Sequence, residues 1–293
     1  MEAVSWSDVS LGGAQIEFVD DPRTPDPSGD GLCNLIDYGH FLGCYGKGTG
    51  DGGWSPNGPK CDYNSDGAIN LIDYGYFLGF YGKPSEQWQM PVIGRDGERE
   101  IKLEVVAVAV SAAGALDKAT VLPSRLDSVA VADTFVVELW VKNADASPSW
   151  ISVGGVDVGY TTSAVDVDAL HHGGVYAALP QGTIDDASGL VDEFGGGVAA
   201  GTADTELGSS HWARLGHFQV TATAVGTVQF TPSAATTAQF FRNDPFAAIG
   251  WSEVQFTGAS LTVTPATHSV TFCPGAHGTI PAANSGADYV VTV

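Results

Sequence analysis

Two stretches of the chain carry oxygen-bearing side chains at spacings that suit a hard cation. One holds Asp26, Ser28, Asp30, Asn34 and Asp37; the other holds Asp62, Asn64, Asp66, Asn70 and Asp73. In both, these residues stand at positions one, three, five, nine and twelve, with a glycine (Gly31, Gly67) at position six. Position seven, Leu32 or Ala68, would add its backbone carbonyl. This is the donor spacing of a loop wrapped around calcium, where the glycine permits the sharp bend. The expected cofactor is therefore calcium, two ions per chain. Asn64 is a better donor than Ser28, and Pro27 stiffens the entry to the first loop, so the second site is expected to bind more tightly. Both loops close on Asp where an EF-hand has Glu.

The loops belong to one segment written twice, residues 26–47 and 62–83, offset by 36 positions and identical at about two-thirds of them. The stretches before each loop are rich in Pro and Gly, which excludes an entering helix. Each unit is then a loop followed by one short helix, near 35–45 and 71–81. Phe41 with Tyr45, and Phe77 with Tyr81, fall at i and i+4 and are expected to form a small core. Units this small have too little core to order an acidic loop alone, so chelation is expected to melt 21–86 and spare the rest.

The pattern D-x-N-x-D-G-x-I-N-x-x-D, followed by a short apolar helix and duplicated, resembles the dockerin module. Asp62 to Asp73 match it throughout; the first copy departs at Ser28 and Cys33. The resemblance covers about 21–86. It implies two loop–helix units related by a pseudo-twofold axis and a cohesin as partner. It also implies partner contacts at Leu35, Ile36, Leu42 and Lys47, and at Leu71, Ile72, Leu78 and Lys83. Many dockerins carry Ser or Thr at the first two of these positions; the Leu-Ile pair here favours a hydrophobic contact. Since both copies carry the same residues, either could dock after a half-turn.

The chain has 293 residues, 16% of them charged, and a formal net charge of -22. Nothing in it forms a basic patch, which argues against nucleic-acid or anionic-membrane partners. No apolar run reaches membrane-spanning length. Calcium at millimolar level is an extracellular condition, so the protein is expected to be secreted or on the cell surface, with its export signal outside this sequence. Of the four cysteines, Cys33 and Cys44 replace Ile69 and Phe80 of the other copy and are expected in the same small core. A Cys33–Cys44 bridge, a Cys44–Cys61 bridge and buried free thiols all remain open, with Cys273 remote.

Val, Thr and Ala dominate the second half, in short alternating segments broken by Gly, Asn, Asp and Pro. TFVVELWVK, GGVDVGY, ARLGHFQVTATA, GTVQFTP and ASLTVTP read as strands of a β-sandwich over 117–265. Their order is similar to that of a cohesin, whose fold is a jelly-roll sandwich, and the resemblance implies that this region could receive a dockerin. The fold class is thus mainly β, a cohesin-like jelly-roll sandwich plus a small helical dockerin-like module with two EF-hand-like loops. Residues 87–116 read as a linker strand or as the first strand of the sandwich. WSDVSLGGAQIEF near the start matches WSEVQFTGASLTV of the closing strands, so 1–20 is expected to be the tail of a preceding β module, and 266–293 the start of another small β repeat.

His171, His172 and His211, and the acids Asp185, Asp186, Asp192 and Glu193, do not assemble a nucleophile–base or paired-carboxylate signature. No catalysis is expected. The function expected is non-catalytic, calcium-dependent assembly of the dockerin–cohesin kind. The alternative is a surface adhesin or carbohydrate-binding protein, or the non-catalytic part of a polysaccharide-degrading enzyme, with Trp140, Trp150 and Trp212 offering a sugar platform.

Overall fold

The duplicated segment folds into two helices of identical register. Asn34 and Asn70 each stand in extended backbone and cap α1 (Leu35–Cys44) and α3 (Leu71–Phe80). Their side-chain oxygens accept from the amides of Ile36 and Ile72, both at 2.7 Å. Asp37 and Asp73 reach back to the cap amides, closing a capping box at each helix start. A one-turn α2 (Gly58–Cys61), with Pro59 in its first turn, lies between them and runs into Asp62, so a short helix does enter the second loop against the expectation. The computed structural model describes residues 23–54, 56–88, 100–113, 116–144, 149–202, 204, 206–243, 247–267, 269–272 and 289–292. The expected β tail at 1–20 and Cys273 lie outside these.

The two units pair through their loops in a symmetric way. Gly46 donates to the Ile69 carbonyl and Gly82 to the Cys33 carbonyl, both at 2.8 Å, while Ile69 donates to Lys47 and Cys33 to Lys83. Each loop is thereby stitched to the end of the other unit's helix. Phe41 stacks on Phe77 with ring centroids 5.5 Å apart, and Tyr38, Tyr63 and Tyr74 complete the aromatic core. Cys33, Cys44 and Cys61 are buried and free, so neither expected bridge forms. Burial raises all three thiols, Cys61 to about 12, which keeps them protonated and unreactive.

The rest of the described chain is strand. In order these are β1 (Ile101–Ala109), β2 (Lys118–Ala119), β3 (Ser128–Ala130), β4 (Thr134–Asn143), β5 (Trp150–Tyr160), β6 (Val165–His172), β7 (Ala178–Asp185) and β8 (Leu190–Gly197). Then follow β9 (Trp212–Ala222), β10 (Gly226–Ser233), β11 (Phe240–Asn243), β12 (Ala247–Ile249), β13 (Val254–Thr257), β14 (Ala259–Thr264), β15 (Ser269–Phe272) and β16 (Tyr289–Thr292). One sheet runs β13-β1-β4-β9, with β6 and β2 also on β9. The other runs β3-β14-β10-β5-β8-β7, and β11 joins the start of β5 with β12 outside it. Their inner faces share one core that includes Phe135, Phe194, Phe218, Phe230 and Phe240.

Strand β1 pairs with β4 along its whole length and with β13 in parallel, so it is integral to the sandwich. The sandwich therefore begins near residue 100, not at 117. A local charge pattern holds this region together: Arg242 meets Glu100 at 2.5 Å, and Arg214 meets Glu138 at 3.1 Å and Asp117 at 2.8 Å. Strands β15 and β16 pair antiparallel with each other, as a small separate hairpin-like sheet.

The burial patterns of the strands show where something covers the sandwich. Strands β10 and β14 alternate buried and exposed residues, as expected when one face meets solvent. The first seven residues of β5 are all buried. The cover there is α3.

Candidate calcium loops and docking face

In the first loop the carboxylates of Asp26, Asp30 and Asp37 lie with oxygens within 4.8 Å of one another. The loop is shaped by its own hydrogen bonds. Asp26 accepts from Ser28 Oγ at 2.8 Å and from the amides of Gly29 and Gly31, both at 2.6 Å. Asp30 accepts from the Leu32 amide and from Asn34 Nδ2, and Asp37 from the amides of Ser28 and Asn34. The second loop repeats this frame. Asp62 accepts from the Asp66 and Gly67 amides, Asp66 from the Ala68 amide and the Asn64 and Asn70 side-chain amides, and Asp73 from the Tyr63 and Asn70 amides. Gly31 and Gly67 take φ of +88° and +87°, a left-handed bend open to glycine.

The carboxylates are gathered with amide donors and no basic side chain is paired with Asp37 or Asp73 among the described residues. Burial lifts Asp73 to about 7 and raises Asp62, although amide bonds pull both down. At Asp26 burial also acts upward, but hydrogen bonds from Gly31, Ser28, Gly29 and Asp30 outweigh it and leave the carboxyl below its usual range. In the first loop, acids converging without a paired basic side chain fit a divalent cation, and the second loop holds its donors in the same order. Asp26, Ser28, Asp30 and Asp37, and Asp62, Asn64, Asp66 and Asp73, would hold it, with the Leu32 and Ala68 carbonyls. The ion would supply charge neutralisation and a cross-link across the loop. Asn34 and Asn70 do a second job that spacing of ligands did not reveal: they cap the helices. An Asn followed three residues later by Asp was the available signal.

The helix residues expected to meet a partner fare differently in the two copies. Leu35, Ile36 and Leu42 are 67%, 59% and 43% exposed. Their counterparts Leu71 and Leu78 are 0% and 7% exposed, and Ile72 is half-buried against the core. The expectation of two equally open faces is therefore corrected: α3 lies on the outer surface of the sandwich. Tyr74 Oη donates to the Val198 carbonyl at 2.7 Å, and Tyr76 meets the Phe241 ring edge-on with centroids 5.3 Å apart. A Cβ added at Gly75 would lie 2.2 Å from Phe241, and one at Gly197 would lie 2.6 Å from Tyr74. Helix and sheet approach as closely as two glycines allow. At the C-cap of α1, Tyr45 reaches over and accepts from Gln181 Nε2 at 2.8 Å.

Lys47 and Lys83 were expected to touch a partner. Both turn back onto their own helices, Lys47 Nζ to the Gly43 carbonyl and Lys83 Nζ to the Gly79 carbonyl. A cation there satisfies the unpaired end of the helix.

Other chemistry-bearing groups have structural partners. His171 stacks on His217 across β6 and β9, while its neighbour His172 points the other way, against Phe194, with Nε2 at 2.7 Å from the Gln181 carbonyl. Asp185 holds the turn at Ser188, Asp186 accepts from Tyr160, and Glu193 accepts from the Thr236 and Thr237 amides. Trp140 and Trp150 are buried and Trp212 packs beside the cluster around Trp140, so these three do not assemble a flat sugar platform. Among the described residues no helix is long and apolar enough to cross a membrane.

No family model matches the chain. No curated protein matches it. Among solved structures, 57% of the chain is similar to 94% of the seventh ScaB type I cohesin from Pseudobacteroides cellulosolvens, at 14% identity and a TM-score of 0.40. A chain of a type I cohesin–dockerin complex from Clostridium thermocellum is matched over 99% of its length by 59% of this one, at 10% identity and a TM-score of 0.40. A cohesin module of a family 33 glycoside hydrolase from Clostridium perfringens is matched over 90% of its length by 47% of this chain, at 11% identity and a TM-score of 0.28.

Proposed function

We propose that this is a non-catalytic, extracellular assembly protein, in which a dockerin-like module folds on binding two calcium ions and a cohesin-like sandwich offers a sheet face to such a module. One observation carries the reading: α3, the helix of the second loop–helix unit, lies on the outer face of β5 and its neighbours with Gly75 against Phe241. The chain itself thus brings a helix of this type onto a sheet of this type. The loops position the helices through the capping Asn and the closing Asp, so ordering of the loop and presentation of the helix are one event.

The test is calorimetric titration of the full chain with calcium, followed by limited proteolysis with and without chelator. Two ions should bind, and chelator should open cleavage within 23–86 while the sandwich stays intact. Failure to bind calcium, or cleavage indifferent to chelator, would sink the reading.

A further inference from the structure

The internal repeat is a built-in control for what an α1-type surface binds. Residue for residue, Leu35, Ile36, Tyr38, Gly39, Leu42 and Gly43 repeat Leu71, Ile72, Tyr74, Gly75, Leu78 and Gly79. On α3 this surface is buried, and its cover is a sheet face that presents the Phe241 ring to Gly75 and Gly197 to Tyr74. On α1 the same surface is open: Leu35, Ile36 and Leu42 are exposed, and a Cβ built at Gly39 or Gly43 meets nothing within 4 Å. Three large aliphatic side chains on one short helix form an apolar patch, and helix glycines beside them leave a seat for a ring.

Resting on the function proposed above, we propose that the chain docks with a fixed division of labour. Unit two is committed in cis to the chain's own sandwich, and unit one is the face that docks in trans. The occupant of α1 is the outer sheet face of a sandwich on another protein, of the same chemistry as the face under α3: an aromatic ring aimed at Gly39 and a glycine opposite Tyr38. A second copy of this chain is a poor occupant, because its matching sheet face is already covered by its own α3. Position 40 marks the specificity difference. His40 stands where Tyr76 meets Phe241, and its ring is held 2.9 Å from the Asn57 side-chain amide. The trans partner therefore faces a polar ring at that point.

Because the proposal specifies the chemistry of the partner face, this chain's own sheet serves as the probe once uncovered. The full chain with Gly39→Arg and Gly75→Arg together blocks both helices and leaves the sheet open; it acts as receptor. The full chain with His40→Tyr, its own sheet closed and α1 free and bearing the ring that Phe241 meets on α3, acts as ligand. In calcium, calorimetry and light scattering should show a 1:1 complex, while the unmodified chain alone stays monomeric. Changing the ligand by Gly39→Arg should weaken binding about tenfold or more. Ile36→Asp, a substitution at an exposed position, should do the same and guards against a folding artefact in the first variant.

Binding unaffected by both ligand changes would overturn the assignment to α1. So would absence of a complex when the receptor is folded by circular dichroism and binds two calcium ions. An unmodified chain that dimerises through α1 would also overturn it, since the occupant would then be a second copy. The two levels of failure separate: loss of calcium binding sinks the proposed function, whereas two bound ions with an idle α1 sinks this inference alone.

Discussion

The two loop–helix units share sequence, caps, loop frame and handedness, yet one is solvent-facing and the other is built into a larger core. Helix α1 buries Asp37, Phe41 and Cys44, whereas nine of the ten residues of α3 are buried. Within the 26–47 and 62–83 segments the helices differ at two positions, His40 against Tyr76 and Cys44 against Phe80, and Tyr76 is the one that meets Phe241 of the sheet. The difference comes from a third element, the sheet face around β5 and β11, which can cover only one of two related helices. Duplication supplies two equivalent surfaces, and tertiary context assigns each a separate task. The comparison can be broken experimentally, because substitutions at matched positions should give unequal effects wherever the sheet is involved and equal effects wherever it is not.

Calcium removal should produce the largest effect and should act on both units together. Their loops are cross-stitched, Cys33 to the end of α3 and Ile69 to the end of α1, so neither can loosen alone. Stripping the ions should abolish the helical signal of the module and leave the strands. Single-loop variants sharpen this. Asp62→Asn should remove the tighter site and Asp26→Asn the weaker one, read as the loss of the first or second phase of a calcium titration. The opposite order would show that the neutral Ser28 costs the first loop less than its geometry and chemistry imply.

Next in size is the matched leucine pair. Leu71→Ala removes a fully buried side chain and should cost about 2–5 kcal/mol in denaturant unfolding of the calcium-loaded chain. Leu35→Ala, at a position 67% exposed, should stay within about 0.5 kcal/mol. Equal losses would mean that α1 is covered as α3 is.

Much of this module was legible in the sequence, and the reason is physical. The loop–helix unit is local: the acids that shape the loop, the glycine at the bend and the capping Asn lie within one short run, so a linear pattern describes its shape. The strands of the sandwich were legible by their alternation. What was not legible was the asymmetry between Leu35 and Leu71. The helix that carries Leu71 meets Phe241 and Val198, far away along the chain, and the helix that carries Leu35 does not lie on that face. The placement of β1 also required tertiary knowledge, because an apolar run such as IKLEVVAVAV reads as a strand without naming its neighbours. The turn of Lys47 and Lys83 onto their own helix ends was not legible either, because a cation there serves its own carbonyls as readily as a partner.

The glycine pair tests the close approach of helix and sheet with opposite signs. Gly75→Ala forces a methyl group into the Phe241 ring and should destabilise by about 1–3 kcal/mol. Gly39→Ala meets open space and gains helix propensity, so it should stabilise by about 0.5–1 kcal/mol. Thermal unfolding of both variants in excess calcium would read this directly. A destabilising Gly39→Ala would place an unrecognised neighbour over α1.

The smallest effect is expected at the lysines, and there the two units should agree. Lys47 and Lys83 both return to a carbonyl four residues back on their own helix, a contact in which the sheet takes no part. Replacing either with Ala should cost about 0.3–1 kcal/mol, the ordinary worth of a cation near a helix C-terminus. The two losses should match within error and shrink together as salt is added. A larger loss at Lys83 would mean that the sandwich also supports its ammonium. A loss of trans binding at Lys47→Ala, without any change in stability, would return that side chain to the docking surface from which the helix end withdraws it.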